Sequence, residues 1–413
     1  MNALPQPAAG PSAEAASAAP ALALRRVVLA DFRCYRRAEL AAPAAPVVLF
    51  GANGAGKTNL LEAISFLAPG RGLRRARLAE IERRCVAGEA AGPGWAVFAT
   101  LDTPDGERSI GTGRDPDRAP EDESDRRVVR IDGAAAKGQA ALADLVHLLW
   151  LTPEMDRLFD GGRSERRRFL DRIVFGFVPD HARNLAGYEQ AMRERNRLLK
   201  DGRLDETWLG ALEQSMAETG VAVAVARRQV VGRLAIAAEA ALGPFPIPDI
   251  ALAGETEAEL AGGPALAAED ALRRRLAEGR RADAEAGRAL AGPHRSDLVV
   301  HHRAKAMPAV LCSTGEQKAL LVALILAAAR LLKLQRGAAP LLLLDEIAAH
   351  LDAQRRAALF DEIEALGAQT WMTGTEAELF AALGGRAAFV NVAPGLSGEG
   401  ATLRTAPQPL ESR

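Results

Sequence analysis

Apolar residues fall along the chain in two textures. Between residue 23 and about residue 160 they come in short, dense runs, such as VVLF at 47–50, WAVFATLDT and RVVRIDG. Runs of this length, bounded by glycine or charge, predict strands. The segment TNLLEAISFLA that follows the first of them carries helical spacing instead. From about Arg163 the period lengthens. SERRRFLDRIVF, ARNLAGYEQAMRERNRLLKDG and the long stretch beginning LDETWLGALEQ repeat apolar residues at helical intervals. GPFPIPDIALAG interrupts that rhythm with prolines, and AEDALRRRLAEGRRADAEAG resumes it. No heptad is sustained, so no long coiled coil is expected. After GPHRSDLVVHH the short-run texture returns, with a helix from about Gly315, then strands in APLLLLDE and QTWMTGT.

The pattern predicts an α/β domain interrupted by a helical insertion, with no internal repeat. Residues 1–22 form an Ala/Pro-rich tail, 23–160 the first half of the head and 161–287 a helical arm. Residues 288–405 form the second half and 406–413 a short tail. The charged, Pro/Gly-bearing stretch 113–127 is expected to be an exposed hairpin insertion.

Composition narrows the function classes. The 413 residues are 48% hydrophobic but only 4% aromatic, so the interior should be aliphatic. The net charge of −1 supplies no bulk field for a nucleic acid, and any such contact must come from local patches. Cys34, Cys85 and Cys312 lie far apart with no CxxC pair, which argues against a disulfide framework and a zinc site. The N-terminus lacks the basic start and apolar core of a signal peptide. The most apolar run, ALLVALILAAARLLKL, contains Arg330 and Lys333 and suits a buried helix better than a membrane span. A cytoplasmic location without a membrane is the expectation. Trp150, Trp208 and Trp371 sit among apolar neighbours and are expected in the core; His301 and His302 are expected at the surface.

One motif is complete. GANGAGKT fits G-x-x-x-x-G-K-[ST], with an apolar strand before it and a helix after it. Gly51, Ala52, Asn53, Gly54, Ala55 and Gly56 would turn successive N–H groups toward phosphate oxygens. Lys57 would reach the β- and γ-phosphates of ATP, and Thr58 would hold Mg²⁺. Lys57 and Thr58 disfavour a dinucleotide loop, which needs neither. PLLLLDE places Asp345 and Glu346 at the end of a buried strand, where an open α/β sheet binds its ligand. Asp345 is the candidate Mg²⁺ partner, and Glu346, with Lys57, the candidate catalytic group that polarises water. The nearly 290 positions between loop and acidic strand leave room for the helical arm inside one head.

STGEQKALL precedes the acidic strand by one long helix, and Leu351-Asp352 follows it. That order is the layout of ABC-type ATPases. The wider set is similar to the RecF family, the SMC-like recombination-mediator ATPases of bacteria. It comprises LADFRCY, GANGAGKTNLLEAI, GRGLRRARLAEI, TPEMDRLFDGGRSERRRFLD, YEQAMRERNRLLK, GPHRSDL, STGEQKALL and LLLLDEIAAHLD, in order along nearly the whole chain. Three departures stand out. GPHR continues Ser296-Asp297 where Asp-Asp is usual, Gly72 stands where Ser is common, and WMTGTE offers Thr373 or Thr375 where many ABC enzymes have His.

The resemblance implies an ABC-type P-loop head split by a helical arm, SMC-like but without a long coiled coil. It adds Asn59 to the nucleotide site. It also implies that Ser313, Gly315 and Glu316, with Asp352, meet ATP held by a second copy, so that ATP closes a head-to-head homodimer. A weak, DNA-stimulated ATPase follows, acting on double-stranded DNA or single-strand/duplex junctions and helping to load a recombinase. RecR and RecO are the implied partners. Arg71, Arg74, Arg75 and Arg77 on the head are candidate DNA contacts, as are Arg163, Arg166, Arg167 and Arg168 at the arm root; solvated faces are the competing reading. His294 and Arg295 suit a structural turn as well as a sensing role. A transport ATPase subunit, an SMC-like tether and a nuclease with the same head are the alternatives.

Overall fold

The computed structural model describes residues 22–83, 94–115, 127–202, 205–240, 243–393 and 402–405. Most of the expected N-terminal tail, the centre of the 113–127 insertion, the C-terminal tail and Cys85 lie outside these residues. Leu22, at the edge of the expected tail, is buried.

Two six-stranded sheets build the head. In the first, the spatial order is Thr402–Thr405, Ala388–Ala393, Val47–Phe50, Thr370–Gly374, Leu341–Leu344 and Leu148–Leu151. All neighbours are parallel except the first pair. The three strands Leu148–Leu151, Leu341–Leu344 and Thr370–Gly374 are buried at every position, as a parallel sheet covered on both faces requires. That is why they read as continuous apolar runs rather than alternations. Helix Thr314–Arg336 is buried through most of its length, so its sequence is apolar nearly all round.

The second sheet is antiparallel, ordered Tyr35–Ala41, Ala23–Phe32, Ala96–Thr103, Gly106–Arg114, Arg127–Ile131 and Ala134–Ala135. Ala96–Thr103 alternates outward and inward positions, with Val97, Ala99 and Leu101 buried. Gln369 ties the two sheets together. Its side chain accepts from the Leu24 N–H at 2.7 Å and donates to the carbonyls of Leu24 (3.0 Å) and Pro43 (2.7 Å). Phe32, Phe66 and Trp95 form an aromatic cluster beneath the helix Lys57–Ser65, with ring centroids 5.0–6.1 Å apart.

The helical part has its own core. Helices His181–Lys200, Glu206–Glu239 and Ala265–Glu278 bury Tyr188, Leu199, Leu209, Met216, Leu260, Leu272 and Leu276 together. The helix Glu206–Glu239 has 34 residues, which at 1.5 Å per residue gives a rod about 51 Å long. Its first half belongs to this second core, and Ala226, Val230, Val231 and Leu234 of its second half belong to the head core. Arg195, fully buried, fastens the outer end. It donates to Glu213 at 3.0 Å, Asp283 at 2.7 Å and the Leu276 carbonyl at 2.6 Å. Arg227 fastens the middle, gripping Asp171 with both branches at 2.7 and 2.8 Å while His181 adds a third contact at 2.8 Å. Burial opposes the Asp171 charge, yet the His181 and Arg227 contacts outweigh it and hold the carboxyl below its ordinary value.

Three local expectations change. The proline-rich interruption contains a strand, Pro248–Ala253, which pairs antiparallel with Asp297–His302. Trp208 is 45% exposed, because Leu209, Leu212 and Met216 occupy the inner stripe of its helix and Trp208 lies off it. His302 is buried, as the alternation of its strand puts it on the same face as Leu298 and Val300. Trp150 and Trp371 are buried. No helix among the described residues is long and apolar enough to cross a membrane.

Candidate nucleotide site

The loop 51–56 bridges strand Val47–Phe50 and helix Lys57–Ser65. Ala52, Asn53 and Gly54 are exposed, while Ala55, Gly56 and Lys57 are buried. Two glycines are dictated by the chain itself. Gly51 has φ 146°, and a Cβ there would lie 2.3 Å from the Val392 carbonyl oxygen. Gly56 has φ 113°, and its Cβ would lie 2.8 Å from both Cys34 Sγ and Tyr35 Oη. Tyr35 supports the loop from below, its hydroxyl donating to the Gly56 carbonyl at 3.1 Å. The Lys57 ammonium folds back over the loop and donates to the carbonyls of Gly51 (2.6 Å) and Ala52 (2.9 Å). Burial pulls its pKa below the ordinary value, and the charges of Glu346 and Asp345 pull it back up.

The acidic strand meets this loop. Thr58 Oγ1 donates to Asp345 at 2.9 Å from one carboxylate oxygen and 3.1 Å from the other. Thr373, fully buried on the next strand, organises the pair behind it. Its hydroxyl donates to Asp345 Oδ1 at 2.6 Å and accepts the Glu346 N–H at 2.8 Å. Glu346 sits in the left-handed region at φ 52°, a strained conformation for a residue with a Cβ. Its carboxylate has no hydrogen-bond partner among the described residues. Sequence offered Thr373 only as a substitute for a missing histidine; the contact that explains it joins two neighbouring strands whose register only the folded sheet fixes.

A hydroxyl beside a single carboxylate fits Mg²⁺, a hard ion that takes oxygen ligands and is held by one or two carboxylates plus substrate phosphates. No group of three or more His, Cys, Asp or Glu side chains among the described residues forms an alternative metal cage.

The remaining expected residues lie elsewhere. Asn59 turns to the back of the helix, donating to Cys34 Sγ at 3.1 Å and accepting from Arg74 at 2.8 Å. There the buried Glu62 takes both branches of Arg33 at 2.7 and 2.9 Å, with Arg74 at 3.5 Å. The helix Thr314–Arg336 begins at the surface. Glu316 accepts from the Ser313 N–H (3.1 Å) and hydroxyl (3.0 Å) and pairs with Lys305. These contacts, Lys305 first, hold its carboxyl down at about 2. Gln317 and Lys318 bind Asp160 (3.1 Å) and Asp156 (2.9 Å), fixing the helix start to the arm root. Ser313, Thr314 and Gly315 stay exposed, and Val310 and Leu311 beside them are 48% and 68% exposed. Gly315 has space on all sides: a Cβ there would meet nothing within 4 Å. Among the described residues no hydrogen bond or ion pair joins this helix start to the loop 51–58. Asp352 caps helix Ala353–Leu366, accepting from the Arg355 N–H at 2.8 Å.

At the arm root, Arg166 grips Asp297 at 2.7 and 2.9 Å and Arg167 donates to the Ser296 carbonyl at 2.6 Å. His294 is held at both nitrogens: Nε2 donates to the Ala289 carbonyl at 2.9 Å, and Nδ1 lies 2.6 Å from Tyr188 Oη. Both contacts hold GPHRSD within the chain's own packing, while Arg295 is exposed. Arg71 and Arg75 face a cavity that also reaches Arg168. Arg77 is exposed at the start of helix Leu78–Ile81.

Comparison with known proteins agrees with this architecture. The family described as the RecF/RecN/SMC N-terminal domain matches residues 23–392. A "DNA replication and repair protein RecF" of Mesorhizobium japonicum is 53% identical over 379 residues, covering 91% of this chain and 97% of that protein. The protein of the same name from Rhizobium etli is 52% identical over 376 residues, covering 91% and 98%. Among solved structures, a "recombination mediator protein RecF-ATPrS" superposes with TM-score 0.77 at 20% identity, covering 94% of this chain and 99% of that one. An Smc head domain from Pyrococcus furiosus gives TM-score 0.52 at 16% identity, covering 93% and 96%. The fold is therefore an ABC-type ATPase head of the SMC kind, and the chain belongs to the RecF family of DNA replication and repair proteins.

Proposed function

We propose that this chain is an ATP-dependent DNA-binding protein of recombinational repair, whose two copies close on ATP. The observation that carries the reading is the half-built state of the helix start at Ser313. In one chain, Gly315 has no steric reason to be glycine, and the surface around it is exposed and partly apolar. Helix N–H groups at such an end attract phosphate, and a missing Cβ allows close approach. Ser313, Gly315 and Glu316 would meet the ATP held by residues 51–58 of a second copy, with Asp352 near the same seam.

Within each copy, Lys57 would leave the carbonyls of Gly51 and Ala52 for the phosphates, and the loop N–H groups would cradle them. Thr58 and Asp345 would hold Mg²⁺, which neutralises phosphate charge when bound. Glu346, set on its strained backbone by Thr373, would orient and polarise the attacking water. Slow hydrolysis would remove the bridging charge and release the dimer. The arms and the arginines at 71–77 would face double-stranded DNA or a single-strand/duplex junction, with RecR and RecO as partners in loading a recombinase in the cytoplasm.

Light scattering with Mg²⁺-ATP tests this: mass should double with ATP and fall back after hydrolysis. Lys57→Arg and Ser313→Arg should each be inactive, and mixing them should restore one site per dimer. A chain that stays monomeric at every concentration with Mg²⁺-ATP would overturn the reading.

A further inference from the structure

A cavity of about 270 Å³ opens where the loop after the nucleotide helix meets the arm root. Arg71 and Arg75 reach it from the loop, and Arg168 and Arg172 from helix Arg163–Phe177. Four guanidinium groups line one small space, three of them on exposed residues, and the acidic residues of the wall offset only part of their charge. Asp171 is saturated by Arg227 and His181. Glu189 is drawn toward Arg193 at 3.8 Å. Arg172 is stacked on the Trp150 ring at 4.3 Å, which fixes its plane. Arg75 and Arg168 have no hydrogen-bond or ion-pair partner among the described residues. Arg75 is also held in the left-handed region at φ 57°, a conformation that needs the surrounding structure to enforce it.

We propose that this cavity is a phosphate-binding site, in which Arg75 and Arg168 form charge-assisted hydrogen bonds to an anionic phosphate group above Arg172. Planar guanidinium forks suit this task better than lysines. The repulsion already present agrees with that geometry: burial first, then Arg168 and Arg71, push the Arg75 pKa below its ordinary value against the smaller pull of Glu189 and Asp171, and an anion would relieve that pressure. The phosphate is either a backbone diester of DNA or a free phosphate; the chemistry of the pocket is the same for both. The site is separate from the loop 51–58 and does not depend on how that loop is read. It does share a structural neighbour with it. The segment that carries Arg71 and Arg75 into the cavity also carries Arg74 to Asn59 and Glu62 on the nucleotide helix.

The test uses the full chain saturated with Mg²⁺-ADP, so that the loop 51–58 does not take up the probe. Inorganic phosphate is titrated by calorimetry and by thermal shift, and a short DNA duplex by anisotropy at several salt concentrations. Arg75→Gln and Arg168→Gln are compared with Arg36→Gln, which removes the same charge from an exposed position on strand Tyr35–Ala41, outside the cavity. Loss of one charge-assisted bond should weaken binding about tenfold, while Arg36→Gln should change it less than about twofold. Without phosphate, Arg75→Gln should melt no lower than the parent, because it removes repulsion rather than a partner; with phosphate the parent and Arg36→Gln should gain stability and the two cavity variants should not. If the two cavity variants lose inorganic phosphate and DNA together, the group is a DNA diester that free phosphate mimics. If they lose phosphate alone, the site serves a free anion. Equal losses for Arg75→Gln, Arg168→Gln and Arg36→Gln would reduce the cluster to a diffuse field, and no loss for either cavity variant would leave no site; both overturn the proposal. Destabilisation of Arg75→Gln in phosphate-free buffer would also overturn it, since Arg75 would then be a structural residue.

Discussion

Thr58 and Asp345 are 287 positions apart and share a hydrogen bond of 2.9 Å, which closes the two halves of the head around one point. Asp345→Asn keeps the shape and removes the charge. ATP hydrolysis with Mg²⁺ should fall about a hundredfold or more, the loss of several kcal/mol of metal-centred stabilisation. The melting temperature should hold within a few degrees. Steady-state hydrolysis and calorimetric melting check both.

Thr373 acts behind that pair. Thr373→Val preserves volume but removes the donor to Asp345 and the acceptor for the Glu346 N–H. An unpaired buried N–H costs about 1–3 kcal/mol, so urea unfolding should shift by that amount. The left-handed turn at Glu346 should relax as well, lowering the hydrolysis rate more than the affinity for ATP.

Gly315 tests the proposed dimer separately from the fold of one chain. Gly315→Ala adds a Cβ where there is open space, and alanine is up to about 1 kcal/mol better than glycine within a helix. The monomer should therefore melt at the same temperature or slightly higher. ATP-dependent dimerisation and hydrolysis should both be lost. A destabilised monomer in thermal melts would show that the glycine serves the chain's own fold.

Arg195 joins Glu213 and Asp283 inside the arm core. Arg195→Met leaves the buried Asp283 without its cation, while Glu213 keeps Arg280 at 2.7 Å, and breaking such a network costs about 3–5 kcal/mol. Limited proteolysis should then cut first within residues 181–287, while the head stays protected.

His147 predicts an acid limb to stability. Burial first, with Arg336 adding to it, depresses its pKa from 6.5 to about 4. Between those values the unfolded chain takes up a proton that the folded chain refuses, so this contribution is complete above pH 6.5 and is lost as pH falls toward 4. The slope is at most about 1.4 kcal/mol per pH unit. Denaturant titrations of the parent and of His147→Gln should converge over that window, because the variant lacks this term.

The strand–loop–helix at 47–65, the acidic strand and the split of the head were legible because each is local. A glycine pattern, an apolar run ending in charge and a change of period are all visible within ten or twenty residues. What stayed hidden was pairing. Nothing in the sequence says that Thr373 lies under Asp345, that Gln369 stitches Leu24 and Pro43 to the parallel sheet, or that Arg166 belongs to Asp297. Those contacts depend on how strands and helices distant along the chain are brought together. Trp208 and His302 misled for a related reason: composition nearby is a poor guide to which face of a helix or strand turns inward. The basic run at 71–77 looked like one patch, and the fold sends its arginines to three different places.

The helix Glu206–Glu239 is anchored in two hydrophobic cores at once, with Arg195 at its outer end and Arg227 at its middle. A rod held near its outer end and at its middle transmits rotation instead of absorbing it. The arm is thus a lever and not a swinging gate: any angle through which the head turned would become, at the arm's far end, a displacement proportional to the length of the rod.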